Sequence, residues 1–411
     1  MEKNNLFPEN QHGFREHRST MSAHSNIQKE WNQITGVLLW DLSAAFDCLD
    51  CDILCRKLAV YGFCKTSVNW FRSFLSGRSQ QVKINNSLST PRAIISGVPQ
   101  GGILSPILFV MYGADLEEWL NHSEAHTYAD DTKSSVTGKS IGEIKAKLEA
   151  DATEVLKFMA SNGLKANPDK TTLMIINGGS EVNLEIQIDG ALVAQEQSSK
   201  LLGIIIEDNQ KWNKQVNGKG GVIPSLNTRL YLIKRMKNKI SADRLKKVAS
   251  GIWNSKLRYG LQLYAKVRTS AQDPKNSNME KLQVAQNKLA RVLENVKVSD
   301  RTPIKTLPEK QKMLSVNQIA AQIKLTEIWK ALNIERFPIK VKKLSTTNDA
   351  RITRGVTFEK LVIEGNSNRI ENSFIGDGTR LWNKAPEVLR ATKTLYSARS
   401  EIKKFVLTLP I

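Results

Sequence analysis

Cysteine is scarce in this chain of 411 residues: there are four, Cys48, Cys51, Cys55 and Cys64, all within one short stretch. Crowded together, they cannot staple distant parts of a fold, which excludes a disulfide framework and fits a reducing compartment. Their spacing, C-x2-C-x3-C-x8-C, invites a zinc site. Zinc ligand pairs usually straddle a tight knuckle, however, and the preferred reading puts Cys48, Cys51 and Cys55 on one helix face as small apolar residues. Long apolar runs are missing too. The best of them, 103–112, is too short for a membrane span and contains Ser105-Pro106. The opening MEKNNLFPENQ has no apolar core, so neither a signal peptide nor a membrane partner is expected, and the address would be intracellular, nucleus or cytoplasm. No repeat, heptad run or extended low-complexity segment stands out. Acidic residues are in deficit, 40 against 60 Lys and Arg, for a formal charge of +20. Such an excess favours a polyanionic partner, because each cation that neutralises a phosphate releases a condensed counterion. A ribosomal protein or an anionic membrane surface would suit the same charge, so charge bounds the partner without choosing it.

What is present is an ordinary globular mixture, 40% hydrophobic and 24% charged, long enough for two or three compact cores. Three textures divide it. Over 1–210, strand-like and helix-like segments alternate among most of the glycine turns, which predicts an α+β unit. The run 36–41 (GVLLWD) reads as a buried strand ending in a carboxylate. Ser105 is a candidate N-cap with Pro106 at the first helical position, and Ile107, Leu108, Val110 and Met111 turned inward. A second helix is predicted over 144–161, with Gly163 at its C-terminal turn. Over 211–298 the chain turns helical and basic. Ser241 can cap a helix with apolar Leu245, Val248 and Ile252, and Leu282, Ala285, Leu289, Val292 and Val296 mark a later one. Lys234, Arg235, Lys256 and Arg258 belong to this stretch; singly each suits a solvated face, and together they suit a surface that tracks a phosphate backbone. The remainder, 299–411, mixes helical pieces with polar loops such as 345–349. Nothing in the sequence sets an oligomeric state.

Two segments carry candidate chemistry. Asp41 closes the apolar strand, and Tyr128-Ala129-Asp130-Asp131 reads as a hairpin with its carboxylates at the turn. A strand tip beside that hairpin would bring Asp41 and Asp130 together. Adjacent carboxylates repel unless cations neutralise them, and hard oxygen ligands select Mg²⁺ or Mn²⁺ over zinc. Two such ions, about 3.5–4 Å apart, suit an in-line phosphoryl transfer. An Asp-Asp pair alone is weak, since Asp is common in turns.

The order of motifs adds to this. After Asp41 come Ser96-Gly97-Val98-Pro99-Gln100-Gly101-Gly102, Ser105-Pro106-Ile107-Leu108-Phe109, YADDT, Gly163-Leu164 with Asn167 and Lys170, and Lys200-Leu201-Leu202-Gly203. In that order they resemble the palm motifs of non-LTR (LINE-type) retrotransposon reverse transcriptases, from about Gln11 to Trp212. More loosely, Ser255-Lys256-Leu257-Arg258-Tyr259-Gly260 is similar to the family's thumb and Arg380-Leu381-Trp382-Asn383 to its C-terminal tail. The resemblance implies a right-hand polymerase with partial fingers and palm over 1–210, a basic helical thumb over 211–298 and a family-typical region over 299–411. It implies an RNA-directed DNA polymerase that takes an RNA template, a DNA primer, dNTP substrates and two Mg²⁺ or Mn²⁺ ions.

Asp41 and Asp130 would then be metal ligands, with Asp131 completing the negative site. Phe46 falls at the family's steric gate under the sugar; the alternative is core packing. Gln100 and Gly101 in the Pro-Gln-Gly turn, and Tyr128, would touch the incoming nucleotide. Lys170 stands where polymerases keep a general acid for pyrophosphate, or is a solvent lysine. Leu202-Gly203 would belong to the hairpin that grips the primer end, and Arg78 lies near nucleic acid or is an ordinary loop residue. Asp47 and Asp50 read as helix-start or surface carboxylates. Departures are visible as well. The family's first finger strands, an upstream endonuclease and a CCHC knuckle are not seen, and Trp40 and Cys51 replace more usual residues. A 5′-truncated copy, with a catalytically silent nucleic-acid-binding remnant as the alternative function, is the corresponding expectation.

Overall fold

The computed structural model describes residues 6–29, 33–42, 45–167, 170–179, 183–300, 311–343, 360–362 and 373–410. The polar loop expected at 345–349 lies outside them, as do Ser43, Ala44, Pro168 and Asp169 within or beside the motifs. The fold is α+β. Two compact units divide the chain, one formed by 1–23 and 33–202, the other by 24–32 and 203–411.

The first unit is built on a four-stranded antiparallel sheet. Its strands are β1 (Ile34–Trp40), β2 (Glu124–Tyr128), β3 (Asp131–Gly138) and β4 (Thr172–Ile176), in the spatial order β2-β3-β1-β4. With a neighbour on each side, β1 is buried along most of its length, Val37, Leu38 and Trp40 included, as its near-continuous apolar sequence requires. The helices are α1 (Cys51–Val60), α2 (Lys65–Leu75), α3 (Ser105–Tyr112) and α4 (Ile141–Ser161). Helix α4 lies directly on β1: a Cβ on Gly36 would stand 2.4 Å from Ile144 and 2.8 Å from Leu148. It starts earlier than its apolar spacing indicated, because the Ser140 hydroxyl accepts from the Glu143 amide and caps it. Gly163 follows the helix in the left-handed region, φ +63°.

One local expectation is corrected. Ser105 is the first residue of α3, not its cap, and its hydroxyl donates to the Pro99 carbonyl. That bond ties the start of α3 to the Pro-Gln-Gly turn. Inside α3, Leu108 to Tyr112 are buried in sequence, whereas Ile107 is only half-buried.

The second unit is helical. Its main elements are α5 (Val222–Met236), α6 (Ala242–Ala249), α7 (Ser277–Glu294), α8 (Val316–Asn333), α9 (Phe374–Lys384) and α10 (Leu395–Val406). Leu226, Leu245, Leu289, Leu325, Trp382 and Ile402, one from each helix, share one core. The basic stretch and the C-terminal helices therefore bury their apolar faces together. Ser241 caps α6 by accepting from Arg244 N. Past Ala249 the helix widens into a π turn, Ser250–Asn254, and resumes over Ser255–Arg258. Within the core, Lys324 and Asp377 are 0% and 1% exposed and 2.6 Å apart.

Candidate active site

Strand register assembles the carboxylates. Strands β2 and β3 pair from Tyr128–Asp131 outward, so Ala129-Asp130 is a two-residue hairpin turn and Asp131 opens β3. On the other side of β3, Trp40 pairs with Thr132. One step further along that register, Asp41 comes beside Asp131. The sheet thus delivers Asp41 and the Asp130-Asp131 pair to the same end of neighbouring strands. Burial raises the Asp131 carboxyl above its usual range, and the negative charges of Asp130 and Asp41 raise it further. Ala129 carries the cost of the turn, with φ +59° in a conformation that L-residues avoid. Tyr128 is half-buried.

The segment after α4 holds Asp41 from the far side. Leu42 bridges to Ala166, and the Asn167 amide donates to the Asp41 carbonyl at 3.1 Å. Lys170 Nζ lies 3.4 Å from Asp41 Oδ1. So the two motifs, separate in sequence, meet at one carboxylate.

A second cluster surrounds Gln100. Its Nε2 donates to Asp47 Oδ1 at 2.9 Å. Ser96 Oγ donates to the Asp47 carbonyl at 2.8 Å, and Val98 N to the Phe46 carbonyl at 3.0 Å. Gly97 is required here: φ is +81°, and a Cβ would lie 2.7 Å from Asp47 Cα. Arg78 directs its guanidinium at protein rather than outward, donating to the carbonyls of Leu75 (2.7 Å), Ser96 (3.2 Å) and Gly97. It is a brace for the Pro-Gln-Gly loop. Phe46 stacks on Phe109 with centroids 4.4 Å apart, half-buried. Gly101, φ +83°, opens onto empty space. Asp50 caps α1, accepting from Asp52 N and Ile53 N. The parts played by Asp47 and Arg78 escape sequence reasoning: nothing local in the sequence shows that 45–49 and 96–100 interlock.

Of the three cysteines expected on one helix face, Cys48 lies before α1, whose cap is Asp50, and only Cys51 and Cys55 belong to the helix. Cys51 and Cys55 interact along α1, and burial, with Cys55 adding to it, pushes the Cys51 thiol up to about 11.

The other expected residues belong to the second unit or its edge. Leu202 and Gly203 both have positive φ, 45° and 81°, and form the tight turn between Ser198–Leu201 and Ile204–Glu207. Lys234 and Arg235 are exposed in the last turn of α5. Arg258 donates to Gln322 Oε1 at 3.2 Å, and Lys256 is half-buried.

The family model for reverse transcriptase (RNA-dependent DNA polymerase) matches residues 1–206, half of the chain, with Asp41, the Gln100 loop and the Tyr128–Asp131 hairpin inside the match. The chain belongs to the reverse transcriptase family. Among curated relatives, it is 28% identical over 222 residues to the probable RNA-directed DNA polymerase from transposon BS of Drosophila melanogaster, covering 50% of this chain and 24% of that protein. It is 23% identical over 313 residues to the corresponding protein from transposon X-element of the same fly, covering 71% and 32%. These matches support the non-LTR, LINE-type branch of the family. The chain spans between about a quarter and a third of the length of these two relatives. Among solved structures, apo telomerase from Candida tropicalis is 13% identical with a TM-score of 0.36, covering 95% of this chain and 56% of that one. A likeness that slight carries no argument about this chain.

Divalent cations are implied by the family. Among the described residues no group of three or more His, Cys, Asp or Glu is gathered to ligating distance. The donor set nonetheless fits in kind: carboxylate oxygens at one sheet end, with mutual repulsion that already raises Asp131.

Proposed function

We propose that the chain is the polymerase portion of a non-LTR retrotransposon's RNA-directed DNA polymerase. It would extend a DNA primer on an RNA template with dNTPs. The carrying observation is the register that sets Asp41 beside Asp131 at one end of β1 and β3. In this reading 1–210 is the palm with partial fingers, 211–298 the basic thumb and 299–411 a C-terminal region packed with it.

Asp41 and Asp130, with Asp131 completing the negative field, would hold two Mg²⁺ or Mn²⁺ ions, which when bound neutralise charge on the transferring phosphoryl group. The protein's own residues do the rest by positioning. Lys170, against Asp41, is the proposed proton donor to the leaving pyrophosphate oxygen. Phe46, backed by Phe109, would support the sugar of the incoming nucleotide. Gln100, oriented by Asp47, Gly101, where no side chain intrudes, and Tyr128 would meet the nucleotide. Lys234, Arg235, Lys256, Arg258 and the Leu202-Gly203 turn would meet the primer–template, with Arg78 acting through the loop it braces.

Primer extension on oligo(rA) primed with oligo(dT), supplied with dTTP and Mg²⁺ or Mn²⁺, tests the reading. Extension that disappears in both Asp41→Ala and Asp130→Ala supports it. A folded chain that binds the same hybrid in a salt-sensitive way yet never extends it would instead be a nucleic-acid-binding protein without polymerase activity.

A further inference from the structure

The Ala129-Asp130 turn is a costly piece of backbone, and the first unit contains a part that fits it. Residues 10–12 run alongside β2: Gln11 bridges in parallel to Thr127, His12 N donates to Thr127 O at 2.8 Å, and Thr127 N donates to Asn10 O at 3.0 Å. The Gln11 side chain then turns toward the hairpin. Its Oε1 accepts from Gly13 N at 2.7 Å and from Ala129 N at 3.1 Å. Gln11 is 4% exposed, so both bonds are sheltered from water. Gly13 completes the fit, since a Cβ there would stand 2.4 Å from Ala129 N and 3.1 Å from the Tyr128 carbonyl carbon. The segment is itself anchored, His12 Nδ1 lying 2.8 Å from Ser22 Oγ with both residues buried.

We propose that Gln11 is a positioning residue for the carboxylate hairpin: its side-chain carbonyl holds the left-handed Ala129 amide and so fixes where Asp130 and Asp131 stand. Gly13 is the space that lets it do so. Two features separate this from ordinary packing. The acceptor is bifurcated between the segment's own backbone and the turn, which couples the two. The bonded amide belongs to the one residue of the turn whose conformation is unfavourable for its side chain. The bearing on catalysis rests on the polymerase reading of Asp130.

The test compares Gln11→Met, which keeps length but loses the acceptor, with Gln11→Glu, which keeps an acceptor oxygen, and Gly13→Ala. Amide hydrogen exchange over residues 128–132 is read in each full-length protein, together with primer extension. Gln11→Met and Gly13→Ala are expected to exchange that segment about 10-fold faster or more. They should also lower kcat by about 10- to 100-fold, the scale for groups that orient a reactive one, with little change in KM for the primer–template. Gln11→Glu should retain most of the protection. Unchanged exchange over 128–132 in both Gln11→Met and Gly13→Ala would overturn the brace. Should Gln11→Met fail to fold, Gln11→Glu against Gly13→Ala decides it on the same readout. Faster exchange with kcat unchanged would overturn the catalytic role. No extension by the unmutated protein would overturn the polymerase reading and this role with it, while the exchange arms still decide the brace.

Discussion

In the first unit, Asp41, Asp130 and Asp131 gather at an accessible sheet end with Lys170 against one of them. In the second, Asp377 is sealed within a helical core between two cations. Its Oδ2 accepts from Lys324 Nζ and, at 3.1 Å, from Val267 N, while Arg380 bonds its other oxygen. Lys324 also donates to the Ala265 carbonyl at 2.7 Å, and Arg380 to that of Val267 at 2.7 Å. Burial pushes the Asp377 carboxyl up, but Lys324 and Arg380 outweigh it and hold it below the usual carboxylate range. Among the described residues nothing comparable offsets Asp131. A cluster balanced from within serves the fold; a cluster left negative is what the proposed cations would complete.

The contrast predicts effects of different kind and size. The largest is in the core. Lys324→Met leaves Asp377 buried with only the half-exposed Arg380, and should cost about 3–5 kcal/mol, read as urea unfolding of the second unit. A cost below about 1 kcal/mol would mean that the pair is no internal balance. Next, Asp130→Ala should lower primer extension by about 10²–10³-fold, the scale of losing one electrostatic stabiliser, while stability holds or rises. A matching loss of stability would put Asp130 in the same class as Asp377. Third, Arg78→Met removes a charged donor from three carbonyls. It should cost about 2 kcal/mol and raise KM for dTTP more than it lowers kcat. The smallest effect, under about 1 kcal/mol, is that of Asp131, which differs from the buried Asp377 in sign as well as size. Asp131 has a raised folded pKa, so its contribution is present at low pH and is lost as pH rises through that value. Asp377 has a lowered one, so its contribution is present at neutral pH and is lost as pH falls through the folded value. At pH 7, then, Asp131→Asn should raise the melting midpoint slightly and Asp377→Asn should lower it. Shifts of the same sign would break the contrast.

Much of the site was legible because its parts are local. An apolar run ending in Asp41 and a polar-flanked Tyr-Ala-Asp-Asp both announce their backbone, one by hydrophobic continuity and the other by turn chemistry. Their adjacency was inferable only as a possibility, since β1 pairs with β3 across about ninety intervening residues and no periodicity records such a pairing. The bonds that position the site are harder still. Asp47 to Gln100, Arg78 to the Ser96 carbonyl and Gln11 to Ala129 each join segments by one or two polar atoms. Composition is blind to them, because a polar residue in a loop reads as solvated until its partner is known. Lys324 shows the opposite failure. It lies in a helix whose other buried residues are mostly apolar, and sequence alone would have turned its charge to water.

The π turn after α6 bears on how the second unit tolerates change. Leu245, Ala249, Trp253 and Leu257 are all buried, each four positions after the last. In a regular helix, at about 100° per residue, every such step overshoots a full turn by about 40°, and the row would spiral away from the core. The wide turn at Ser250–Asn254 winds part of that overshoot back, so the four side chains stay in phase. It works like a leap day in a calendar, one irregular interval that keeps a drifting count aligned. Deleting a single residue within the wide turn would close it to a regular one and leave Leu257 facing the core, whereas deleting one in the regular part of α6 would rotate everything downstream by about 100° and carry Trp253 and Leu257 off it.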